Sequence, residues 1–357
     1  MSSSRSAVAP AAQRLKSANA TRVAIVALLL LATLTALLLL SLMLGVTPIP
    51  AEQVINILLT GEGERVPRLV ITTLRLPRAL LGMLIGAGMA LTGVMLQDSL
   101  KNALADPGLL GVSTGASLVV AVIVVLNVPL PFASLPIFAL FGGLFSGLII
   151  ILTTRLTRDP TRTMLIGAAL TALFGALIVT LITLAKSSEL RTLYSYLVGS
   201  MTGRDRDDLL MALPWLGVGI PLALLFGRAL NVLQLGDDMA EGLGVPVFRA
   251  RLAILLICVA MTGAIVAAAG PIGFVALIAP HMTRQALRTS DSRQVLPVSA
   301  LLGAVLLVGC DLLARELFSP AELPVGLVLI AVGSPVALIL LRSAIDTRAH
   351  GSPQQAA

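Results

Sequence analysis

Gly270-Pro-Ile-Gly-Phe-Val-Ala-Leu-Ile-Ala-Pro-His-Met-Thr-Arg284 is the stretch on which the architecture turns. Its apolar core, Ile272 to Met282, is short and holds Pro280, which removes a helix hydrogen bond. A membrane-spanning helix needs about 20 apolar residues, roughly 17 to 25 in practice. Nine other blocks approach that length, at about 23–46, 76–96, 109–127, 135–154, 163–185, 209–227, 252–269, 295–314 and 323–341. Whether 271–287 is a further span decides on which side every later loop lies.

Loop charge arbitrates, because Lys and Arg collect on the cytoplasmic side. With ten spans and the N-terminus inside, the cytoplasmic side holds Arg5, Arg14, Lys16, Arg22, Lys101, Arg155, Arg158, Arg162, Arg228, Arg249, Arg251, Arg284, Arg288, Arg293, Arg342 and Arg348. That is 16 of the 25 basic residues, against 9 outside. If 271–287 did not span, five of these would move outside and Arg315 inside, giving 12 against 13, and the bias would vanish. The sequence therefore predicts an all-α polytopic membrane protein of about ten transmembrane helices, with both termini cytoplasmic. Residues 21–343 form the membrane domain, between tails 1–20 and 344–357 whose Ser/Ala/Gln-rich composition predicts disorder.

Composition agrees. Of 357 residues, 57% are hydrophobic and 12% charged, where soluble domains carry about 25% charged. Membrane lipid has to be the solvent. The net charge of +7 sits in short loops between apolar blocks, which sets topology and excludes nucleic acid as a partner. The first block, Val23 to Val46, is too long for a signal-peptide core and reads as an uncleaved helix. Cys258 and Cys310 lie in apolar runs and read as inert core thiols. With only His281 and His350, a pathway binding bare transition-metal ions through imidazole is disfavoured. No metal or cofactor is expected.

Catalytic motifs are missing from the sequence. It contains no G-x-x-x-x-G-K-[ST] phosphate loop, no H-E-x-x-H and no nucleophile elbow. Apart from Asp311, no acid lies deep in an apolar block, which weakens an ion-gradient carrier and points to an external energy source. Small residues four apart, Gly82 with Gly86 and Gly143 with Gly147, predict close helix packing.

Two places invite function. The loop Leu233-Gln-Leu-Gly-Asp-Asp-Met-Ala-Glu-Gly-Leu-Gly-Val-Pro-Val-Phe248 mixes acids, glycines and apolar residues. Gly236 can end one short helix and Asp237 or Asp238 can cap the next, while Gly242 and Gly244 permit a tight turn. Such a helix pair could enter a partner's groove, or be a structured connector. The second place is the outer face, where Arg75 and Arg78 in Leu74-Arg-Leu-Pro-Arg78, and Arg315, run against the charge bias. They could pair with carboxylates of a partner, snorkel to the interface, or pair internally, as Asp311 with Arg315.

The motifs together resemble the FecCD-type permease family, which imports ferric siderophores, haem and cobalamin. They are L-R-L-P-R-A-L-L-G-M-L-I-G-A-G-M-A-L-T-G-V-M-L-Q at 74–97, N-A-L-A-D-P-G-L-L-G-V-S-T-G-A at 102–116, the quoted 270–284, D-L-L-A-R at 311–315, E-L-P-V-G at 322–326 and G-S-P at 333–335. The resemblance runs from about residue 23 to 343. It departs at Ala103, Ala276 and Tyr196, where Pro, Gly and Trp are frequent.

The resemblance implies a ten-helix subunit in the bacterial inner membrane that is not itself an enzyme. It implies a second permease subunit, copy or paralogue, two cytoplasmic ATPase subunits and a periplasmic substrate-binding protein. Arg75, Arg78 and Arg315 match positions that meet glutamates of the binding protein. Gly236, Asp237, Asp238, Ala240, Glu241, Gly242, Leu243, Gly244 and Val245 match the helices that couple to the ATPase. The implied cargo is a ferric-siderophore chelate, with haem or cobalamin as the alternative.

Overall fold

The computed structural model describes residues 5–131, 134–157, 160–319 and 321–349. Residues 1–4 and 350–357 of the expected tails, and Arg158, lie outside these. The helical backbone is described from Arg5 and as far as Ala349.

Fifteen α-helices are described: α1 (Arg5–Met43), α2 (Ala51–Thr60), α3 (Arg65–Leu69), α4 (Leu76–Ser99), α5 (Val112–Val125), α6 (Leu135–Thr157), α7 (Pro160–Leu184), α8 (Ser187–Leu197), α9 (Arg206–Leu225), α10 (Gly227–Gln234), α11 (Asp237–Gly242), α12 (Val247–Ala269), α13 (Val275–Leu287), α14 (Ser292–Glu316) and α15 (Val325–Ala349). A π-helical turn, Val70–Arg75, joins α3 to α4, and a 3-10 turn, Pro107–Leu110, precedes α5. No strand occurs among the described residues. Each apolar block falls on a helix, and seven helices are long and apolar enough to cross a membrane. The protein is an all-helical, multi-pass membrane protein.

The stretch 270–284 is a helix only from Val275. Gly270, at φ +76, ends α12, and Phe274 enters α13 at φ +67. Thirteen residues make a helix of about 20 Å, short of a hydrocarbon core of about 30 Å. Even so, α13 brings the chain back to the end from which α12 departed. Arg251 in the second turn of α12 and Arg284 near the end of α13 both bond the last residues of α4. The carbonyls that end α1 and the residues just before α15 lie at the other end, beside Arg75, Arg78 and Arg315. Helices α1 and α15 therefore start and finish, respectively, at the end holding α11.

Helix α4 is the axis. It is buried along most of its length, against α9, α12, α13 and α14. In lipid, helices associate through close contact and not through a hydrophobic drive, so small residues sit at crossings. A Cβ on Gly86 would strike the backbone of Gly303 in α14, and one on Gly93 the carbonyl of Ala276 in α13. Gly147 of α6 packs on Val259 of α12 in the same way. Around these crossings lie Leu81, Ile85, Met89, Leu216, Met261 and Leu307. Apolar positions such as Phe141, Phe145, Val218 and Leu225 stay exposed. Helix α7 is barely covered within the single chain, with 11% of its span buried.

Candidate functional site

Functional groups gather at the two ends of α4. At one end α1 stops at Met43, leaving its last carbonyls without helical partners. Arg75 Nη1 donates to Leu42 O at 2.7 Å and to Met43 O at 3.1 Å, and its Nη2 to Thr47 O at 2.7 Å. Arg315 Nη2 donates to Ser41 O at 3.0 Å. Two guanidinium groups thus cap the negative end of the helix dipole. Gly45 leaves room for the first, since a Cβ there would lie 2.8 Å from Arg75 Nη2.

Arg78 makes a fork onto Asp311, Nε to Oδ2 at 3.1 Å and Nη2 to Oδ1 at 2.8 Å, and its Nη1 reaches Glu322 at 2.9 Å. The internal pair of Asp311 is therefore with Arg78 and not with Arg315, because a fork into a buried carboxylate outweighs a neighbour four residues along the helix. All three arginines are buried, at 7–8% exposure. They nevertheless line, with Arg204 and Glu322, a cavity of about 320 Å³ at this end. Arg315 Nε is buried there without a partner. An unpaired buried donor is costly, so an acceptor entering the cavity would be favoured.

At the other end α10 and α11 form the helix–turn–helix expected from the sequence. Gly236 has φ +112 and Gly244 φ +83, conformations that suit glycine. All of Gly236 to Val245 lie on this one protrusion. Ala240 is fully buried among Leu230, Leu233, Val247 and Ile254. Asp238, Glu241, Gly242, Leu243 and Gly244 are exposed. Leu235, Met239 and Leu243, each four residues on, are 63%, 58% and 59% exposed and give the protrusion an apolar crest. Sequence reading named only Leu243 of these; their spacing of four was the available signal.

Neither Asp237 nor Asp238 caps α11; Gly236 occupies the N-cap position. The Asp237 carboxylate instead takes a bidentate bond from Arg251, at 2.6 and 2.8 Å, and Lys101 Nζ at 2.9 Å. Two cations outcompete a neutral amide for it. These bonds, that to Arg251 foremost, hold its carboxyl well down, at about 2. The sign is that of a stabilised carboxylate: the pairs are intact above the usual carboxylate range and lost only as pH falls toward 2.

Beside them, Arg284 bonds Gln97 at 2.7 Å and Asp98 at 2.8 Å, and Ser292 Oγ donates to Asp98 at 2.7 Å. His281, on α13, shares a 3.3 Å contact with Gln285 on the next turn, an ordinary structural bond. Of the threonines on α7, Thr171 bonds the carbonyls of Gly167 and Gly108.

Residues 25–343 match the FecCD transport family. The chain belongs to that family. It is 40% identical over 297 residues to the Fe(3+) dicitrate transport system permease protein FecD of Escherichia coli, covering 83% of this chain and 92% of that one. It is 40% identical over 277 residues to the hemin transport system permease protein HmuU of Yersinia pestis, covering 75% and 81%. The vitamin B12 import system permease protein BtuC of Vibrio cholerae is 38% identical, over 75% and 81%. Among solved structures, an inward-facing metal-chelate type ABC transporter aligns at TM-score 0.80 and 26% identity, over 89% of this chain and 98% of that one. This FecCD-family chain is thus of the kind that forms the membrane subunit of ABC importers, consistent with its bundle.

Proposed function

We propose that the chain is the permease subunit of an ATP-driven importer that carries a ferric-siderophore chelate from periplasm to cytoplasm by alternating access. The observation that carries this reading is the protrusion of α10 and α11. It is rooted in the bundle through Ala240 and Asp237 and offers an apolar crest outward, a shape suited to receive a push from a partner. The partners are two cytoplasmic ATPase subunits, a second permease subunit and a periplasmic substrate-binding protein. The α11 end, with both termini, faces the cytoplasm across the bacterial inner membrane, in keeping with the loop-charge bias.

The arginine end then faces the periplasm. Arg75, Arg78 and Arg315 are the proposed docking residues, with a carboxylate of the binding protein entering their cavity to meet the free Nε of Arg315. Ferric cargo is favoured because relatives from two organisms are named as ferric citrate permeases. The HmuU and BtuC likenesses keep haem and cobalamin as the alternative. A carrier driven by an ion gradient fits less well. The buried charges described above cluster at the ends of α4 and not midway, where such a carrier needs them.

The test is uptake of labelled ferric siderophores, haem and cobalamin in a strain lacking the gene, with and without complementation. Loss and rescue of ferric uptake alone is expected. Loss of only haem or cobalamin uptake would move the cargo assignment within the family, and normal entry of all three would overturn the importer reading unless a redundant permease is found.

A further inference from the structure

The last residues of α4 form a hub. Over the five positions from Gln97 to Lys101, just past its end, four residues together bond α11, α12, α13 and α14. Gln97 Nε2 reaches the Ala276 carbonyl of α13, and Gln97 and Asp98 take Arg284. Asp98 also accepts from Ser292, the first residue of α14. The Ser99 carbonyl accepts from Arg251 Nε of α12 at 3.1 Å, and Lys101 reaches Asp237 of α11. Arg251 is the bridge, because one guanidinium serves both the Ser99 carbonyl and the Asp237 carboxylate. It is 6% exposed. Its five fixed donors allow a planar, two-sided hold that a lysine would not provide.

We infer that Asp237 is a positioning residue and not a contact for the ATPase: through Arg251 and Lys101 it locks α11 to the inner ends of α4 and α12, so that these elements move as one body. This rests on the importer reading for its purpose, but the lock itself is a property of this chain. The geometry separates two jobs within one short segment, Leu235 to Leu243. Leu235, Met239 and Leu243 point to the surface, where a partner can press. Ala240 points inward, and half-exposed Asp237 binds Arg251, so that together they hold the helix to the bundle. Without such a lock a helix of six residues is too short to stay put, since isolated helices below about 12 residues are marginal. Pressure on the crest would then tilt α11 and leave α4 where it was. With the lock, displacement passes to α4 and α12 directly, and through the hub to α13 and α14. Among these is the α4–α14 crossing at Gly86 and Gly303, so the load reaches the middle of the bundle.

The experiment places spin labels at Asp238→Cys, exposed beside the crest, and Leu256→Cys, on the exposed face of α12. The full complex is purified from host membranes by a tag on this chain. Distances are read by pulsed electron resonance without nucleotide and after trapping with ATP and vanadate. A narrow distribution is expected, the same in both states. Asp237→Ala should broaden it by about twofold or more and make it shift on trapping, as local anchorage is lost. Asp237→Glu should restore the narrow form. Arg251→Met should act like Asp237→Ala; if that buried substitution prevents folding, the half-exposed Asp237 site still decides. A distribution that is equally narrow in Asp237→Ala, or that shifts on trapping in the unmodified clamp, would overturn the lock. If no ATPase accompanies the chain, the importer reading falls, and the nucleotide-free widths of the two forms still decide the lock.

Discussion

Arg315 shows how a buried cation can serve two ends. One of its nitrogens caps α1 at Ser41, and its Nε is buried without a partner beside the cavity that the residue lines with Arg75 and Arg78. Arg315→Gln removes the charge together with the bond from Nη2 to Ser41. The expected result is a binding protein held about tenfold more weakly, near the lower range for losing one desolvated charge contact. The check is affinity at low salt, where unchanged binding would end the docking assignment. Sequence alone brought these arginines to notice because they defy the charge bias. It could not find the Asp311 partner, because Arg78 lies 233 residues away while Arg315 stands a single helical turn along. The same limit hid Arg251 and Asp98, whose partners are set by tertiary packing. Asp237 was legible as a residue of the acid- and glycine-rich loop at 233–248, but its carboxylate had a closer claim than the cap that local rules suggested.

At the scale of elements, the ten apolar blocks were legible because hydrophobic length is a strong local signal. The boundaries were weaker. The block at 271–287 starts its helix at Val275, since Gly270 and Phe274 adopt left-handed conformations that no propensity announces. The glycine spacing marks packing, but unevenly. Gly86 and Gly147 meet neighbouring helices tightly, whereas a Cβ on Gly82 would find only ordinary contacts at 3.8 Å. Gly86→Leu should force α4 and α14 apart and lower the melting temperature in detergent. Overpacking of this kind costs about 1–3 kcal/mol or more. Gly217→Ala, where a Cβ would meet nothing within 4 Å, is the matched control and should leave melting unchanged. Equal melting of the two variants would contradict the close crossing.

For the whole molecule, the parity of helices puts the start of α1 and the end of α15 at the α11 end. A tag at residue 357 should therefore be reached only from the cytoplasm. Labelling from the periplasm in intact cells would refute both the loop-charge reading and the proposed placement of the ATPases. The sparse cover on α7, as on α1, is that of an apolar helix whose covering, lipid or protein, lies outside the single chain. Sequence could give the all-helical class and the apolar blocks that become its long helices. It could not show which helix would be the axis, because α4 looks no more apolar than its neighbours and is central only by its contacts.

That axis also makes the protein a gauge of its surroundings. Arg78 and Asp98, each held in an ion pair, stand twenty positions apart on one helix, which is about 30 Å along its axis and close to the thickness of a hydrocarbon core. Neither end can slide, because each is tied to other helices. A thinner or thicker bilayer must therefore deform to meet the bundle around this helix, or tilt the whole bundle, at a cost of fractions of a kcal/mol per Å of mismatch. Acyl-chain length in the host membrane thereby becomes a physical input to the resting orientation of the bundle.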